Sequence, residues 1–319
     1  MLKNNDCIIV ANPVSGPFKR ELKKYLLAGP KEVLGCEAIG LDTKSEEEYR
    51  DCVIEAKKDY KMVICAGGDG TNRILINAGT NEHTILGYLK LGNGGALGSA
   101  CNYEDSMLRH IASIIGYRGY IYQDLIDQAI QIHNGTVRNI DAILCETSAG
   151  SQKALMAGMG LDAEIIRRSG KRRINGESGL WSYVMASLEA GFHWSKKYTP
   201  DPEIKIEIDG ETKTFNKLKS VIFLKHPFMG YSIRANPLAS LDSGYVHGLA
   251  IDMGIPRILK ALYQGYFKEQ GNTQGTHLEG ETINMYTTTP QPIHIEGDYW
   301  TTDTELRTII IKNEFRMKF

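Results

Sequence analysis

The sequence lacks any run of about 18 apolar residues, which a membrane-spanning helix would need. It also begins with an acid and amides at residues 1–6, where a signal peptide needs an apolar core. Lysine and arginine number 37 against 38 for aspartate and glutamate, so no excess of positive charge favours a nucleic-acid partner. We therefore expect a cytoplasmic protein that binds no nucleic acid and whose contact with an anionic membrane would have to be local and peripheral.

Low-complexity tracts, internal repeats and Cys-x-x-Cys pairs are absent as well. The cysteines lie mostly in apolar or helix-like segments, at Cys7, Cys36, Cys52, Cys65, Cys101 and Cys145. This placement favours buried free thiols over metal ligands or disulfides.

What the sequence does contain is an α/β pattern in its first half and a strand-rich pattern in its second. At 319 residues the chain is long enough for two hydrophobic cores. Short apolar runs alternate with helical patterns up to about residue 135, which predicts a parallel sheet with helical crossovers. From about Thr136 the pattern predicts a mainly antiparallel domain. Helices near Gly179–Trp194 and Pro256–Glu269 interrupt it, and we expect their aromatic residues in the core, with contact to lipid as the alternative.

A glycine-dense turn follows one of the apolar runs. Val63–Ala66 reads as a buried strand and leads directly into Gly67-Gly68-Asp69-Gly70-Thr71. Glycines let the backbone approach closely, so that amides near a helix N-terminus can point at phosphate oxygens. The alternative is a tight structural turn. The last glycine of residues 92–98 is one place too late for the dinucleotide-binding motif GxGxxG, and the P-loop motif GxxxxGK[ST] does not occur. Neither of these two common nucleotide-binding motifs is therefore present.

Four segments resemble the diacylglycerol kinase catalytic-domain family, which also contains sphingosine kinases and bacterial lipid kinases. Asn12–Gly16 resembles the first phosphate loop of that family, and Gly67–Thr71 is its GGDGT signature unchanged. Ala157–Glu164 and Asn236–Tyr245 resemble its later motifs. The resemblance covers nearly the whole chain.

The resemblance implies a fold and domain limits. The fold is a Rossmann-like α/β nucleotide-binding domain of the NAD kinase and diacylglycerol kinase type, followed by a β-sandwich-like domain with helices. The last segment returns to the first domain, and Leu306–Lys312 suits a returning strand. We therefore expect residues 1–135 and 306–319 in the nucleotide-binding domain and residues 136–305 in the substrate-binding domain.

The resemblance also implies ATP in the cleft between these domains and a Mg²⁺ ion. The implied nucleotide-binding residues are Asn12, Pro13, Ser15, Gly16, Thr43, Gly67, Gly68, Asp69, Gly70, Thr71, Gly92 and Asn93. The implied metal ligands are Asp69, Asp141 and Asp242, although Asp242 equally suits a plain turn. Asp69 is also a candidate catalytic carboxylate.

The implied catalytic base lies in Glu296-Gly297-Asp298, where the family carries DGE. Glu296 or Asp298 would take the proton from the lipid hydroxyl, and a turn role for both is the alternative. The literal triplet Asp209-Gly210-Glu211 lies between two strand patterns, where Asp-Gly predicts a hairpin turn.

Three departures from the family pattern bear on activity. The acids of the DGE triplet are exchanged, residues 92–96 replace a GTxND-like stretch, and Arg73 stands where the family has glutamate. We predict an ATP- and Mg²⁺-dependent kinase acting on a diacylglycerol or sphingoid hydroxyl at a membrane surface. Basic residues at positions 167, 168 and 171–173 are candidates for headgroup contact, with a solvated loop as the alternative.

Two other functions stay open at this point. One is a nucleotide- or lipid-binding regulator that has lost transfer activity, and the other is phosphorylation of a soluble hydroxyl compound. A homodimer through an edge strand is also open.

Overall fold

The structure is a computed structural model that describes residues 6–14, 18–79, 83–91, 95–101, 118–175, 180–197, 202–215, 217–230, 233–252, 254–267, 271–272 and 274–319. The chain divides into two compact units. The first comprises Met1–Ile140, Gly230–Ser232 and Asn313–Phe319, and the second comprises Asp141–Met229 and Ile233–Lys312.

The first unit is built on a parallel sheet. Its strands are β1 (Cys7–Ala11), β2 (Glu37–Ile39), β3 (Met62–Gly67) and β4 (Ile85–Lys90), in the order β4-β3-β1-β2. Its helices are α1 (Arg20–Leu26), α2 (Ala28–Leu34), α3 (Glu46–Asp59), α4 (Asp69–Asn77), α5 (Ala96–Ala100) and α6 (Arg118–Asn134). Strands β1 and β3 are buried along their whole length, which explains why both read as continuous apolar runs.

The end of the last strand completes this sheet. In that strand Arg316 pairs with Ile85 and Met317 with Leu86, parallel to β4. Because the first unit's strands are parallel, the residues after β1, β2, β3 and β4 lie along one edge, where ligands of open α/β sheets bind. Several predicted site residues follow these strands.

The second unit is antiparallel and strand-rich. Its strands are β5 (Val137–Thr147, shared with the first unit), β6 (Gly150–Ala154), β7 (Met156–Gly160), β8 (Ile204–Ile208), β9 (Glu211–Phe215), β10 (Ser220–Leu224), β11 (Phe228–Met229), β12 (Ile233–Arg234), β13 (Val246–Ile251), β14 (Thr276–Gly280), β15 (Thr282–Ile295) and β16 (Asp298–Lys318, shared likewise). The main strand order is β14-β13-β10-β7-β15-β16. Its helices are α7 (Leu161–Ile174), α8 (Leu180–Lys197) and α9 (Ile255–Phe267).

The core of the second unit consists of the inward-facing side chains of its strands, among them Met159, Phe223, Ile283 and Ile293. The α/β unit and the strand-rich unit with helices confirm the predicted fold class. The hairpin predicted at Asp209 is also confirmed, because Asp209 has a φ of 49° and Ile208 pairs with Glu211 across it.

The cysteines follow the expectation from the sequence, and the aromatic residues of α8 and α9 follow it only in part. All six cysteines are free, and five of them are buried, as predicted. The expectation for the aromatic residues of α8 and α9 is wrong in part. Trp194 is buried, whereas Phe192, Tyr263 and Phe267 are 65%, 54% and 58% exposed. No described helix is long and apolar enough to cross a membrane.

Candidate active site

The glycine turn is a tight connection from β3 into α4. Gly67 ends the strand, Gly68 is the extended residue before the helix, and Asp69 is the first helical residue. A Cβ at Gly67 would lie 2.3 Å from Thr71 Oγ1, so only glycine fits there. Thr71 Oγ1 accepts a hydrogen bond from the Gly68 amide at 3.4 Å. The turn therefore places backbone amides at the N-terminus of a nine-residue helix, as a phosphate site requires.

Asn12 joins the loop after β1 to this turn. Its Nδ2 atom donates to Thr71 Oγ1 at 3.0 Å, and its Oδ1 atom accepts from the Val14 amide at 2.9 Å. Both Asn12 and Thr71 are buried. Two of the predicted nucleotide-binding segments are thus held together by a direct side-chain contact.

Lys23 holds the same loop through hydrogen bonds to its backbone, and this residue was not among those predicted from the sequence. This lysine of α1 is fully buried, and its Nζ atom donates to the carbonyl oxygens of Asn12 at 3.0 Å and Pro13 at 2.6 Å. Burial lowers the pKa of Lys23 to about 8. Nothing in the sequence distinguishes Lys23 from its exposed neighbour Lys24, so only the structure could identify it.

Asp69 connects the turn to the segment after β4. Its Oδ1 atom accepts from the Ala96 amide at 2.8 Å, at the start of α5. Gly95, just before Ala96, has a φ of 53°, and a Cβ there would lie 2.2 Å from Lys90 Cε. Glycine at this position therefore leaves room for the buried Lys90 side chain. The predicted residues Ser15, Gly16, Gly92 and Asn93 lie outside the described residues.

Thr43 and Arg73 are held by neighbours in the first unit. The Thr43 hydroxyl donates to the Gly40 carbonyl at 2.8 Å, which is a turn contact. The Arg73 guanidinium donates to Glu46 Oε1 at 2.9 Å, so this side chain is paired with an acid of its own unit. The contact with nucleotide predicted for Thr43 stays a prediction.

In the second unit, Glu296 and Gly297 form the two-residue turn of the hairpin between β15 and β16. Their φ values are 52° and 73°, and Ile295 pairs with Asp298 across the turn, which matches a type I′ hairpin. Glu296 is buried, and its Oε1 atom accepts from the amides of Leu155 and, at 3.0 Å, Met156. Its carboxylate therefore anchors the hairpin to the chain between β6 and β7.

Asp298 begins β16 and is half-buried. The hairpin thus carries two carboxylate side chains that are two positions apart in the sequence. The Glu296 carboxylate accepts hydrogen bonds from backbone amides, and Asp298 is the first residue of β16. The proposed base, Glu296 or Asp298, stays a prediction.

Asp141 lies beside a buried ammonium group rather than in a set of metal ligands. Its Oδ2 atom accepts from Lys225 Nζ at 3.0 Å and from the Gly244 amide at 2.8 Å. Lys225 is fully buried and also donates to Ser243 Oγ at 3.0 Å and to the Tyr245 carbonyl at 2.8 Å. Burial lowers the pKa of Lys225, although the Asp141 carboxylate opposes this shift.

The Lys225 ammonium therefore neutralises the Asp141 carboxylate, and a site that already contains this buried positive charge does not fit a divalent cation. Asp242 is exposed, and its Oδ1 atom accepts from the Ser240 hydroxyl at 2.7 Å, as a turn residue would. Of the three predicted metal ligands, Asp69 remains the carboxylate placed beside the phosphate turn.

The basic residues of α7 pair with acids of their own unit. Arg167 and Arg168 donate to the buried Glu164 at 2.7–2.9 Å, and Arg172 pairs with Glu189 of α8. Burial alone would raise the pKa of Glu164, but the two arginines overcome it and lower the pKa. These ion pairs leave Lys171 as the exposed described cation of the group.

The sequence profile of the diacylglycerol kinase catalytic domain matches residues 6–143 of this chain. A diacylglycerol kinase of Staphylococcus carnosus (strain TM300) is 22% identical over 305 residues, which cover 91% of this chain and 88% of that protein. A diacylglycerol kinase of Staphylococcus haemolyticus (strain JCSC1435) is 21% identical over 303 residues, which cover 91% and 81%.

A crystal structure of a diacylglycerol kinase from Bacillus anthracis str. Sterne has the same fold. It superposes with a TM-score of 0.67 and covers 99% of this chain and 97% of that chain, at 13% identity. Together with these relatives, the profile match over residues 6–143 confirms the resemblance to the diacylglycerol kinase catalytic-domain family that was inferred from the GGDGT turn.

Proposed function

We propose that the protein transfers the γ-phosphate of ATP to a hydroxyl group of a lipid, of diacylglycerol or sphingoid type. The observation that carries this proposal is the phosphate turn at Gly67–Thr71, joined to the β1 loop through Asn12 and supported by Lys23. The two staphylococcal relatives are named diacylglycerol kinases. The similarity to a kinase family supports a nucleoside triphosphate as phosphate donor and a divalent metal ion as cofactor.

The first unit would hold the phosphate groups. Phosphoryl transfer asks a protein mainly to position the phosphates and to balance their charge. Backbone amides at the start of α4 serve the first need, and the N-terminal end of the helix dipole serves the second. Asp69 is our candidate for holding Mg²⁺ there, since carboxylate oxygens are the ligands that Mg²⁺ prefers.

A lipid acceptor is supported by an exposed apolar strip on α8. Val184, Leu188 and Phe192 are spaced four residues apart, so they share one helix face. They are 37%, 65% and 65% exposed. We propose that this strip contacts the membrane surface from which the acceptor is taken, and that the exposed Lys171 of the same unit adds a positive charge. Exposed apolar side chains of this kind commonly mark such contact sites.

The acceptor hydroxyl needs a base, and the hairpin turn offers two carboxylates. Glu296 is fixed by two backbone amides, so its position is well defined. Asp298 lies two residues further along, at the start of β16. We propose that one of them takes the hydroxyl proton.

A second candidate function is a nucleotide- or lipid-binding regulator without transfer activity. One observation favours it: Glu296 Oε1 is engaged with the amides of Leu155 and Met156, which is a structural use of the carboxylate. Both functions predict ATP binding, so affinity for ATP does not separate them.

Turnover separates them. The purified protein is incubated with γ-labelled ATP and Mg²⁺ and with micelles of diacylglycerol, monoacylglycerol, sphingosine or ceramide. A parallel reaction contains a soluble alcohol as acceptor and no lipid. The variants are Glu296→Gln and Asp298→Asn. Glutamine keeps an oxygen that can accept from both amides, so Glu296→Gln removes the base and preserves the hairpin.

The kinase function predicts labelled lipid that is lost in one of the two variants. Label in no lipid while ATP still binds would support the regulator, and label only in the soluble alcohol would contradict a lipid acceptor.

A further inference from the structure

Three side chains that the proposed kinase reaction does not use meet on the edge of the second unit's sheet. His247 lies in β13, and His277 and Glu279 lie in the edge strand β14. In the antiparallel register His247 is directly opposite Glu279, and Leu249 is opposite His277. Since alternate residues of a strand share a face, His277 and Glu279 lie on the same face as His247.

The distances between their ligand atoms suit a small cation. His247 Nδ1 lies 3.3 Å from Glu279 Oε2, and His277 Nε2 lies 3.8 Å from the same oxygen. The three ligand atoms lie within 4.8 Å of one another. Tetrahedral zinc with bonds of about 2.0–2.2 Å separates neighbouring ligand atoms by about 3.3–3.6 Å, so small side-chain movements would complete the geometry.

The buried ring of His247 has a nitrogen atom that is placed to bind a cation. It is only 3% exposed, and its Nδ1 atom makes no hydrogen bond with the part of the chain that the structure describes. A buried polar atom without a partner costs free energy, and an unprotonated ring nitrogen facing a carboxylate oxygen at 3.3 Å is repelled by it. A cation between the two atoms removes both costs.

The surroundings of His247 resemble those of a metal-binding histidine. Its second ring nitrogen lies 2.8 Å from Ser243 Oγ, which can accept the ring N–H, and such a contact orients the imidazole ligands of metal sites. The second ring nitrogen of His277 lies 3.2 Å from the donor Asn236 Nδ2, so metal binding through His277 Nε2 requires the Asn236 amide to turn its oxygen toward the ring. The side chains of His277 and Glu279 are 28% and 48% exposed, which gives an ion and a water molecule access from solvent.

We propose that His247, His277 and Glu279 bind one divalent transition-metal ion of the zinc type, with a fourth position open to water. Two imidazoles and one carboxylate are the ligand set of zinc with an open position, whereas Mg²⁺ takes oxygen ligands. Bound metal ties the edge strand β14 to β13. The site is independent of the proposed phosphoryl transfer.

The test uses the whole protein, freed of any affinity tag and stripped of metal with a chelator. Co²⁺ is titrated while absorption between about 500 and 700 nm is followed, because tetrahedral Co²⁺ absorbs there, and Zn²⁺ is titrated in competition with a chromophoric chelator. We expect one equivalent of each ion to bind. His277→Gln and Glu279→Gln should weaken Zn²⁺ binding by at least about 100-fold, since even loss of an orienting contact costs about 10–100-fold.

Matched controls are His133→Gln, an exposed histidine outside the cluster, and Glu281→Gln, an exposed acid two residues beyond Glu279. Both should bind metal like the unaltered protein. Both test residues are partly exposed, so the variants should fold, and the melting temperature without metal checks this. Absence of a Co²⁺ band, or equal Zn²⁺ binding by Glu279→Gln and Glu281→Gln, would overturn the proposal.

Discussion

Replacing Lys23 by methionine tests whether the support behind the β1 loop is needed for nucleotide binding. Methionine fills a similar volume but cannot donate to the carbonyl oxygens of Asn12 and Pro13, which Lys23 Nζ contacts at 3.0 and 2.6 Å. A hydrogen bond from a charged group contributes about 1.5–3 kcal/mol, and relief from burying the ammonium offsets part of the loss of two such bonds. We take the net loss as about 1.5–3 kcal/mol.

If the loop must hold this geometry to bind ATP, that loss lowers ATP affinity about 10- to 150-fold, since about 1.4 kcal/mol corresponds to a factor of ten. The control is Lys24→Met. Lys24 is the next residue of α1, and its exposed pair with Glu21 spans 3.3 Å. A pair of this kind contributes under about 1 kcal/mol, so Lys24→Met should bind ATP almost like the unaltered protein.

ATP affinity is measured by calorimetric titration, and thermal unfolding shows that each variant is folded. A folded Lys23→Met variant that binds ATP within about threefold of the unaltered protein would refute the reasoning, because the threefold limit lies well below the expected loss.

Four further predictions follow from the same contacts. Gly67→Ala should lower ATP affinity more than tenfold by displacing Thr71, whereas Gly170→Ala, where a Cβ meets nothing within 4 Å, should leave it unchanged; calorimetric titration compares them. Lys225→Met should destabilise the protein by about 3–5 kcal/mol because it leaves the buried Asp141 carboxylate without its ammonium partner, and denaturant unfolding against the exposed-site control Lys217→Met measures this. The pKa of Lys23 is about 8 in the folded protein and 10.5 in the unfolded chain. Between these two pH values Lys23 is therefore protonated in the unfolded chain and largely neutral in the folded protein. The free energy of unfolding should therefore rise with pH from about 8 to 10.5 relative to Lys23→Met, and a flat difference would contradict the buried ammonium. Phe192→Glu should reduce sedimentation with anionic vesicles without changing ATP affinity, while Tyr263→Glu on α9 serves as the exposed aromatic control.

Local sequence was enough to predict the features that depend on neighbouring residues. The apolar run into Gly67–Thr71 specified a strand, a turn and a helix, and the Asp209-Gly210 pair specified a hairpin. Both depend on backbone conformations that glycine and aspartate favour within a few residues.

Local sequence could not predict contacts between residues that are far apart in the chain. Lys225 is 84 positions from Asp141, and Glu296 is 140 positions from Met156. A lysine in a helical pattern carries no sign of its burial, so the role of Lys23 was invisible as well. The assignment of Asp141 to a metal ion came from resemblance alone, and the neighbouring ammonium accounts for its charge without one.

Transfer of label from γ-labelled ATP to diacylglycerol micelles tests the proposed lipid kinase most directly. The measurement compares the unaltered protein with Gly67→Ala, which disturbs the phosphate turn, and Glu296→Gln, which removes a candidate base. We predict labelled lipid with the unaltered protein and a large loss of label with Gly67→Ala. Binding of ATP by the unaltered protein without label in diacylglycerol or in any other lipid of the panel would contradict the account.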